Sequence, residues 1–350
     1  MVGILGRRRS AIGIAFDGGG FRAAQLTRSS GAWSLAVAAR LPRQGSGAVP
    51  DHDELVQIRR MLQRNGMVGR RVVLAVPTDR LHTAVLELPP RSSGAPLEQI
   101  ATNELARMHG FAPESAETIC WDLPPSGRTK EMTQVMALAC RHDAADALLD
   151  AFESAGLCVE ALDSRLTALA RAAEPALSRS GMATILDVSW DVVTLLLIHQ
   201  DTIVYQRDIA EGGLGQLVQS VSERFALDKD AVDFVLYDIG LGSGSDPEVT
   251  ASLEPAKALI RRHVEEVLEG LTSPLSYAMH QYPGARMEAL LLTGQGASVP
   301  GLADALHSRL EVDVRTAVPA DLLSCSPSLS KLSRDPSLIL PIGLAEFTEW

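Results

Sequence analysis

The sequence has 350 residues, of which 46% are hydrophobic, so it is long enough for two domains with well-filled cores. Its 43 acidic residues outnumber its 32 basic residues, and the net charge of −11 argues against broad electrostatic attraction to nucleic acid or to anionic lipid. The longest apolar runs have the length of a strand, so direct insertion into a membrane is not expected. Four cysteines without a CxxC pair predict buried free thiols.

Two β-hairpin patterns of similar sequence divide the chain. The first spans Ile12 to Leu26 and contains three consecutive glycines, and the second spans Thr184 to Leu197. When the two hairpins are aligned, Ala15 of the first matches Asp187 of the second. The repeat predicts two similar lobes.

The elements of the first half predict an RNase H-like lobe that is interrupted by an insertion. A further β signal follows the first hairpin, then a helix that Asp51 or Asp53 can cap, and then a buried strand. Residues 77–156 follow a β-α-β-β-α order, which is typical of a small α+β subdomain. The first lobe would therefore comprise residues 10–76 and 157–182.

Residues 183–350 predict a second lobe of the same kind. Three β signals are followed by a pair of glycines and by a largely helical, variable stretch over residues 213–285. A strand from Ala289 to Thr293 then leads into a tight glycine turn. The apolar end, 338–350, predicts a helix that packs back on the body of the protein.

Several familiar catalytic motifs do not occur in the sequence. It has no GxxxxGK[ST] loop, no GxSxG nucleophile turn and no HExxH zinc motif. The Gly294-Gln295-Gly296 turn follows a strand, as in a dinucleotide-binding fingerprint, but Val299 stands at the third glycine position. The eight histidines show no metal-ligand spacing, so they predict no metal centre.

Five segments occur in the order seen in the PilM family of type IV pilus assembly proteins. PilM is a relative of FtsA, and both belong to the actin-like superfamily. The five segments are Ile12 to Leu26, Val72 to Pro77, Leu186 to Leu197, Gly212-Gly213 and Leu291 to Leu302. The resemblance covers nearly the whole chain, and the predicted insertion lies where PilM and FtsA carry their extra subdomain. It implies an α/β fold of the actin-like type, with two RNase H-like lobes and an inserted small α+β subdomain in the first lobe.

The resemblance also implies positions for a nucleotide site. In this family the hairpin turns bind phosphates through backbone N–H groups, acids on the first strand of each lobe organise magnesium, and a later glycine turn lies beneath the adenosine. Carried over to this sequence, the cofactor-binding candidates are Asp17, Gly18, Gly19, Gly20, Arg22, Asp187, Ser189, Gly212, Gly213, Gly294 and Gly296. Asp187 is also the candidate metal ligand.

The sequence departs from the family pattern at several of these positions. Ala15 stands in place of the first acid, and Asp17 lies two residues further on, in the turn. Trp190 and Asp191 replace small residues of the second turn, so the indole would crowd the phosphates and the carboxylate would repel them. Arg22 matches a family lysine near the first turn, but a surface arginine on the second strand is an equal alternative.

These departures favour a degenerate or weak ATP site. The helix that touches the ribose and base in the family aligns with a segment that carries Val232 and Val235, which offer no hydrogen-bond donor. We therefore expect no bound cofactor and assign no catalytic residue, with ATP and magnesium as the open alternative.

The resemblance implies a cytoplasmic scaffold that is peripheral to the inner membrane through a partner. In the family, the groove between the first lobe and the insertion receives the cytoplasmic N-terminus of the membrane protein PilN. A PilN-like tail and other platform proteins are therefore the expected partners, with no nucleic acid. Three alternatives remain: an ATPase that uses Asp17 and Asp187, a component resembling GspL of type II secretion, and a filament protein resembling FtsA.

Overall fold

The computed structural model describes residues 8–29, 31–45, 47–125, 132–177, 181–242 and 247–347. Its strands are β1 Arg8–Asp17, β2 Gly20–Ser29, β3 Ala32–Leu41, β4 Arg71–Ala75, β5 Leu81–Leu88, β6 Ala116–Asp122, β7 Thr133–Arg141, β8 Cys158–Asp163, β9 Met182–Val188, β10 Val193–His199, β11 Thr202–Ile209, β12 Met287–Thr293, β13 Asp313–Thr316 and β14 Ser324–Cys325. Its helices are α1 His52–Arg64, α2 Leu97–His109, α3 His142–Ser154, α4 Arg165–Ala173, α5 Leu214–Phe225, α6 Lys229–Asp233, α7 Pro247–Gln281, α8 Leu302–Leu310, α9 Pro319–Leu322 and α10 Ile339–Ala345, and a π-helical segment, Phe234–Ile239, continues α6.

The two large sheets share one topology. The first has the order β3-β2-β1-β4-β8 and the second has the order β11-β10-β9-β12-β13. In each sheet the first three strands of the lobe pair antiparallel, and the remaining two add in parallel. This is the β-β-β-α-β arrangement expected of an RNase H-like lobe, so the prediction of two such lobes is confirmed.

Helix α1 begins where the sequence predicts. The Asp51 carboxylate accepts a hydrogen bond of 2.8 Å from the backbone N–H of Glu54, so Asp51 rather than Asp53 is the cap. Leu55, Ile58 and Leu62 lie on one face and are buried against the first sheet.

The inserted segment forms the third sheet, with the strand order β5-β7-β6. Helix α2 covers one face through Leu97, Ala101 and Leu105. The other face turns toward the second lobe, where the Trp121 indole N–H donates to the carbonyl oxygen of Ile203 over 3.0 Å. Helix α3, at the end of the 77–156 range, packs on α1 and contributes Phe152 to the core of the first lobe.

The end of the chain completes the first lobe. Strand β14 pairs in parallel with β3 at the edge of the first sheet, and all seven residues of α10 are buried, chiefly against β1 and α4. A Cβ added to Gly13 would overlap the carbonyl oxygen of Pro341, and one added to Gly343 would overlap that of Ala168. The backbones approach this closely only because both residues are glycine. Residues 348–350 of the predicted final helix lie outside the described residues.

The cysteines and the helices test two expectations from composition. Cys158 is exposed and the other three cysteines are only partly buried, so the prediction of buried thiols is wrong, although all four are free. No helix among the described residues combines the length and the apolar character needed to cross a bilayer.

We expect Gly343→Ala to destabilise the protein by about 3 kcal/mol, because the added methyl group would meet the backbone of α4. Within a helix, the same change would otherwise stabilise by roughly 1 kcal/mol. Urea unfolding provides the measurement. Gly94→Ala is the control: its surroundings are open and its φ of 71° predicts a loss of only about 1 kcal/mol. An equal decrease in the free energy of unfolding for Gly343→Ala and Gly94→Ala would contradict the close packing of α10.

Glu346, directly after α10, predicts a dependence of stability on pH. Burial raises its pKa from 4.5 to about 7, against the opposing effect of Arg171. The folded state thus holds this proton more tightly than the unfolded state, so its contribution to stability is full below pH 4.5 and is lost as the pH rises to about 7. Relative to the native protein, Glu346→Gln should gain about 2 to 3 kcal/mol in free energy of unfolding between pH 4.5 and pH 8.

Urea unfolding at pH 4.5 and pH 8 measures this difference. The control is Glu265→Gln, which makes the same substitution at an exposed acid on α7. Parallel pH profiles for native protein and Glu346→Gln would show that the buried carboxyl does not titrate in this range.

Candidate functional site

The hairpin turns of the two lobes meet face to face. Gly18 and Gly19 form the turn between β1 and β2, and residues 189–192 form the turn between β9 and β10. The backbone N–H of Gly18 donates to both carboxylate oxygens of Asp191, over 3.2 and 3.4 Å. Direct contact between the turns therefore replaces the gap that a phosphate group would need.

The Trp190 indole fills the space between the lobes. A Cβ added to Gly18 or to Gly19 would lie 2.8 Å from the indole, and one added to Gly215, in the first turn of α5, would lie 2.6 Å from it. The indole, which is partly buried, thus packs against glycine backbone of both lobes. A phosphate held by the first turn would compete with the indole for the same space.

Asp17 and Arg22 form a buried ion pair in the first lobe. Each residue is 6% exposed, and an Arg22 nitrogen lies 2.8 Å from an Asp17 oxygen. The second Asp17 oxygen accepts the N–H of Gly19 over 2.9 Å. Arg22 also donates across the lobe boundary to Gln295, whose amide donates to the Tyr237 hydroxyl over 2.7 Å. Arg22 is therefore not a surface residue, and that alternative from the sequence is wrong.

Asp187, the candidate metal ligand, is paired with an arginine of the other lobe. Its side chain is 2% exposed, and its Oδ2 accepts from Arg165, the first residue of α4. The Ser189 hydroxyl donates to the same oxygen over 2.7 Å and accepts from Arg165 over 2.6 Å. A guanidinium thus occupies the position beside Asp187 where a magnesium ion would require space.

The predicted glycines lie close to the turns, where they permit tight packing. Gly20, with a φ of 134°, abuts the carbonyl oxygen of Leu41. A Cβ on Gly213 would lie 2.6 Å from the backbone of Asp191, and one on Gly212 would lie 3.0 Å from Val193 and Val267. These two glycines therefore let α5 begin directly against the second turn.

The later glycine turn packs on the end of β9. A Cβ on Gly294, where φ is 84°, would lie 2.5 Å from the carbonyl oxygen of Val188, and one on Gly296 would overlap the Val188 side chain. Val232 and Val235 are 1% and 3% exposed, within the core of the second lobe. Packing within the protein therefore accounts for the small glycines of this turn and for the two apolar valines, without a ligand.

Little free volume remains between Asp17 and Asp187. A cavity of 10 Å³ lies there, and its lining includes Arg22, Arg165 and Gln295. Among the residues that the structure covers, no three His, Cys, Asp or Glu side chains converge as a metal site would require.

A larger groove opens beside this contact. It has a volume of 550 Å³ and is bounded by the first lobe, the start of the insertion and the second lobe. We call it the inter-lobe groove, and its lining is Phe16, Asp17, Gly18, Arg43, Gly47, Ala48, Pro77, Thr78, Asp79, Arg165, Asp191, Val192, Asp208 and Ala210. Burial raises the pKa of Asp191, as does the nearby charge of Asp17, and burial also raises the pKa of Asp208.

Sequence reasoning missed Arg165, Gln295 and Tyr237. Arg165 had a usable signal, because it is the second residue after β8 and the carboxyl ends of parallel strands meet at one edge of a sheet. Gln295 was noted only as part of a glycine turn. Tyr237 had no signal, since burial with a hydrogen-bond partner is the ordinary state of a tyrosine; burial raises its pKa to about 12.

The sequence model of the type IV pilus assembly protein PilM matches residues 22–347. The chain belongs to the PilM family. Among solved structures, the PilM–PilN type IV pilus biogenesis complex contains a chain that is 22% identical, with a TM-score of 0.74 and coverage of 96% of this chain and 97% of that one.

The ethanolamine utilization protein EutJ from Carboxydothermus hydrogenoformans is 13% identical, with a TM-score of 0.55 and coverage of 99% of this chain and 93% of EutJ. With the strand order of the two lobes, these likenesses establish the actin-like fold that the resemblance to PilM implied. In this member of the PilM family, the Trp190 and Asp191 side chains lie between the two hairpin turns.

We expect Arg165→Leu to lower the free energy of unfolding by about 3 to 5 kcal/mol, because it leaves the Asp187 carboxylate buried without a cation. Adding Asp187→Asn should recover a large part of that loss, since the remaining amide carries no charge. Chemical denaturation of the single and double variants measures both effects. Arg262→Leu, which removes an exposed pair with Glu266, should change stability by less than about 0.5 kcal/mol. A double variant no more stable than Arg165→Leu would show that the charge of Asp187 is not the cause.

Proposed function

We propose that this chain is a non-hydrolysing scaffold of a type IV pilus or related assembly platform, which binds the cytoplasmic tail of a PilN-like inner-membrane protein. The family match over residues 22–347 supports the pilus assembly role. The likeness to a chain of the PilM–PilN complex, over almost the full length of both chains, supports a partner of the PilN type. A scaffold of this kind acts from the inner face of the membrane and reaches it through its partner.

One observation carries the non-hydrolysing part of the proposal: the Trp190 indole lies against Gly18 and Gly19, in the turn where the resemblance places phosphate. Three further features agree with it. Ala15 provides no carboxylate, Arg165 neutralises Asp187, and the Asp191 carboxylate would repel a phosphate from the Gly18 N–H. The candidate site residues then serve to hold the lobes together, and neither ATP nor magnesium is needed.

The inter-lobe groove is our proposed binding site for the partner tail. Its volume of 550 Å³ falls within the range of roughly 300 to 1,000 Å³ that is common for ligand sites. Its walls combine apolar surface, from Phe16, Pro77 and Val192, with the carboxylates of Asp79 and Asp208. The two arginines in the lining, Arg43 and Arg165, are paired with Glu54 and Asp187. Such a surface suits a short extended segment that has both apolar and basic side chains.

The test is isothermal titration of the native protein with a synthetic peptide of the cytoplasmic N-terminus of the PilN-like protein from the same organism. We expect saturable binding, and we expect Ala48→Trp to weaken it by at least about tenfold because the indole would fill the groove. Ala258→Trp, on the exposed surface of α7, should bind the tail like the native protein.

Adding ATP and magnesium should leave the affinity for the tail unchanged, and ATP alone should give no heat with the native protein. No binding of the tail would overturn the partner proposal. Equal binding by Ala48→Trp and native protein would place the tail elsewhere. Tail affinity that rises with ATP and magnesium would favour a working nucleotide switch over the scaffold.

A further inference from the structure

The second hairpin turn places two side chains against backbone of the first lobe. We propose that Trp190 and Asp191 are a built-in ligand for the turn of the first lobe and hold the two lobes closed, so that closure does not depend on a bound nucleotide. This inference rests on the non-hydrolysing role proposed above, and it adds how the closed state is maintained. It does not depend on the identity of the partner.

Asp191 supplies the chemistry of an anion. Its carboxylate accepts the Gly18 N–H through both oxygens, at 3.2 and 3.4 Å. A backbone N–H in a glycine-rich turn is the kind of donor that holds phosphate oxygens in nucleotide-binding proteins. The Gly18 N–H of the first turn therefore has its hydrogen-bond acceptor in the other lobe.

Trp190 supplies the shape of a bound group. Its indole contacts Gly18 and Gly19 of the first lobe and Gly215 of the second, and an added methyl group at any of the three would lie within 2.8 Å of it. Glycine at all three positions lets this partly buried indole pack closely on the backbone. Because Trp190 and Gly215 belong to the same lobe, separation of the lobes would expose to water the part of the indole that packs on Gly18 and Gly19.

Two arginines supply the positive charge that closure requires. Arg165 reaches from the first lobe to Asp187 and Ser189 of the second, and Arg22 pairs with Asp17 while donating across the boundary to Gln295. The cavity left between these groups measures 10 Å³, which is about the minimum that accommodates one water molecule. Between Asp17 and Asp187 little free space therefore remains, and each of these two carboxylates is paired with an arginine.

The first experiment combines Trp190→Gly with Asp191→Thr in the full chain, which removes both parts of the built-in ligand. Small-angle X-ray scattering should show a larger radius of gyration than the native protein, and the melting temperature should fall by on the order of 5 °C. Trp33→Gly is the matched control, because Trp33 lies on β3 beneath the Arg28 side chain of β2, and it should keep the native radius of gyration. A native radius of gyration in the double variant would overturn the proposal.

The second experiment uses only the native protein, so it stands even where the double variant does not fold. Without nucleotide, the Gly18 amide should exchange its hydrogen at least roughly fivefold more slowly than expected for an open turn, and adding ATP and magnesium should change nothing. Fast exchange that slows on adding ATP and magnesium would overturn the built-in ligand. Neither experiment contains the partner tail, so failure of the tail titration and failure of this proposal are separate results.

Discussion

The buried ion pair between Arg165 and Asp187 is the constraint on which the closed arrangement of the lobes depends. A carboxylate that is 2% exposed needs a cation and further hydrogen bonds, and Asp187 has both from Arg165 and Ser189. Since Arg165 belongs to the first lobe and Asp187 to the second, the pair fixes the lobes relative to each other. The neighbouring Asp17–Arg22 pair, which is also buried, follows the same requirement. In both pairs the buried carboxylate is neutralised by a guanidinium group.

The lobes could be predicted from the sequence because their signals are local. Hairpin periodicity located β1, β2, β9 and β10, and an apolar stripe with a capping aspartate located α1. The packing of the chain end was only partly accessible. The apolar run that became α10 indicated burial, but neither its position against the first sheet nor the pairing of β14 with β3 could be read from it. Those contacts join residues far apart in sequence, and no local pattern encodes them.

Part of the candidate site could likewise be predicted from the sequence, and part of it required the structure. Ala15, Trp190 and Asp191 stood out because they differ from the pattern of the family they resemble, and a difference in residue type is visible in one sequence. Arg165 and Gln295 matter because the lobes bring them to Asp187 and Arg22. Whether an arginine neutralises a distant aspartate depends on the orientation of two lobes, which is a property of tertiary packing. The sequence therefore indicated where residue types differ from the family pattern, and the structure was needed to identify the side chains that lie beside Asp187 and Arg22.

The burial of α10 in the first lobe has a consequence for the order in which the chain folds. During synthesis, β1 leaves the ribosome more than 300 residues before the helix that packs on it, since β1 ends at Asp17 and α10 begins at Ile339. Until then, the face of the first sheet that receives α10 lacks its cover, including the backbone at Gly13. Contacts of such long sequence separation slow folding and leave apolar strands open to wrong pairing. We therefore expect the two lobes to mature together as one cooperative unit, because the first lobe is complete only after α10 has been made.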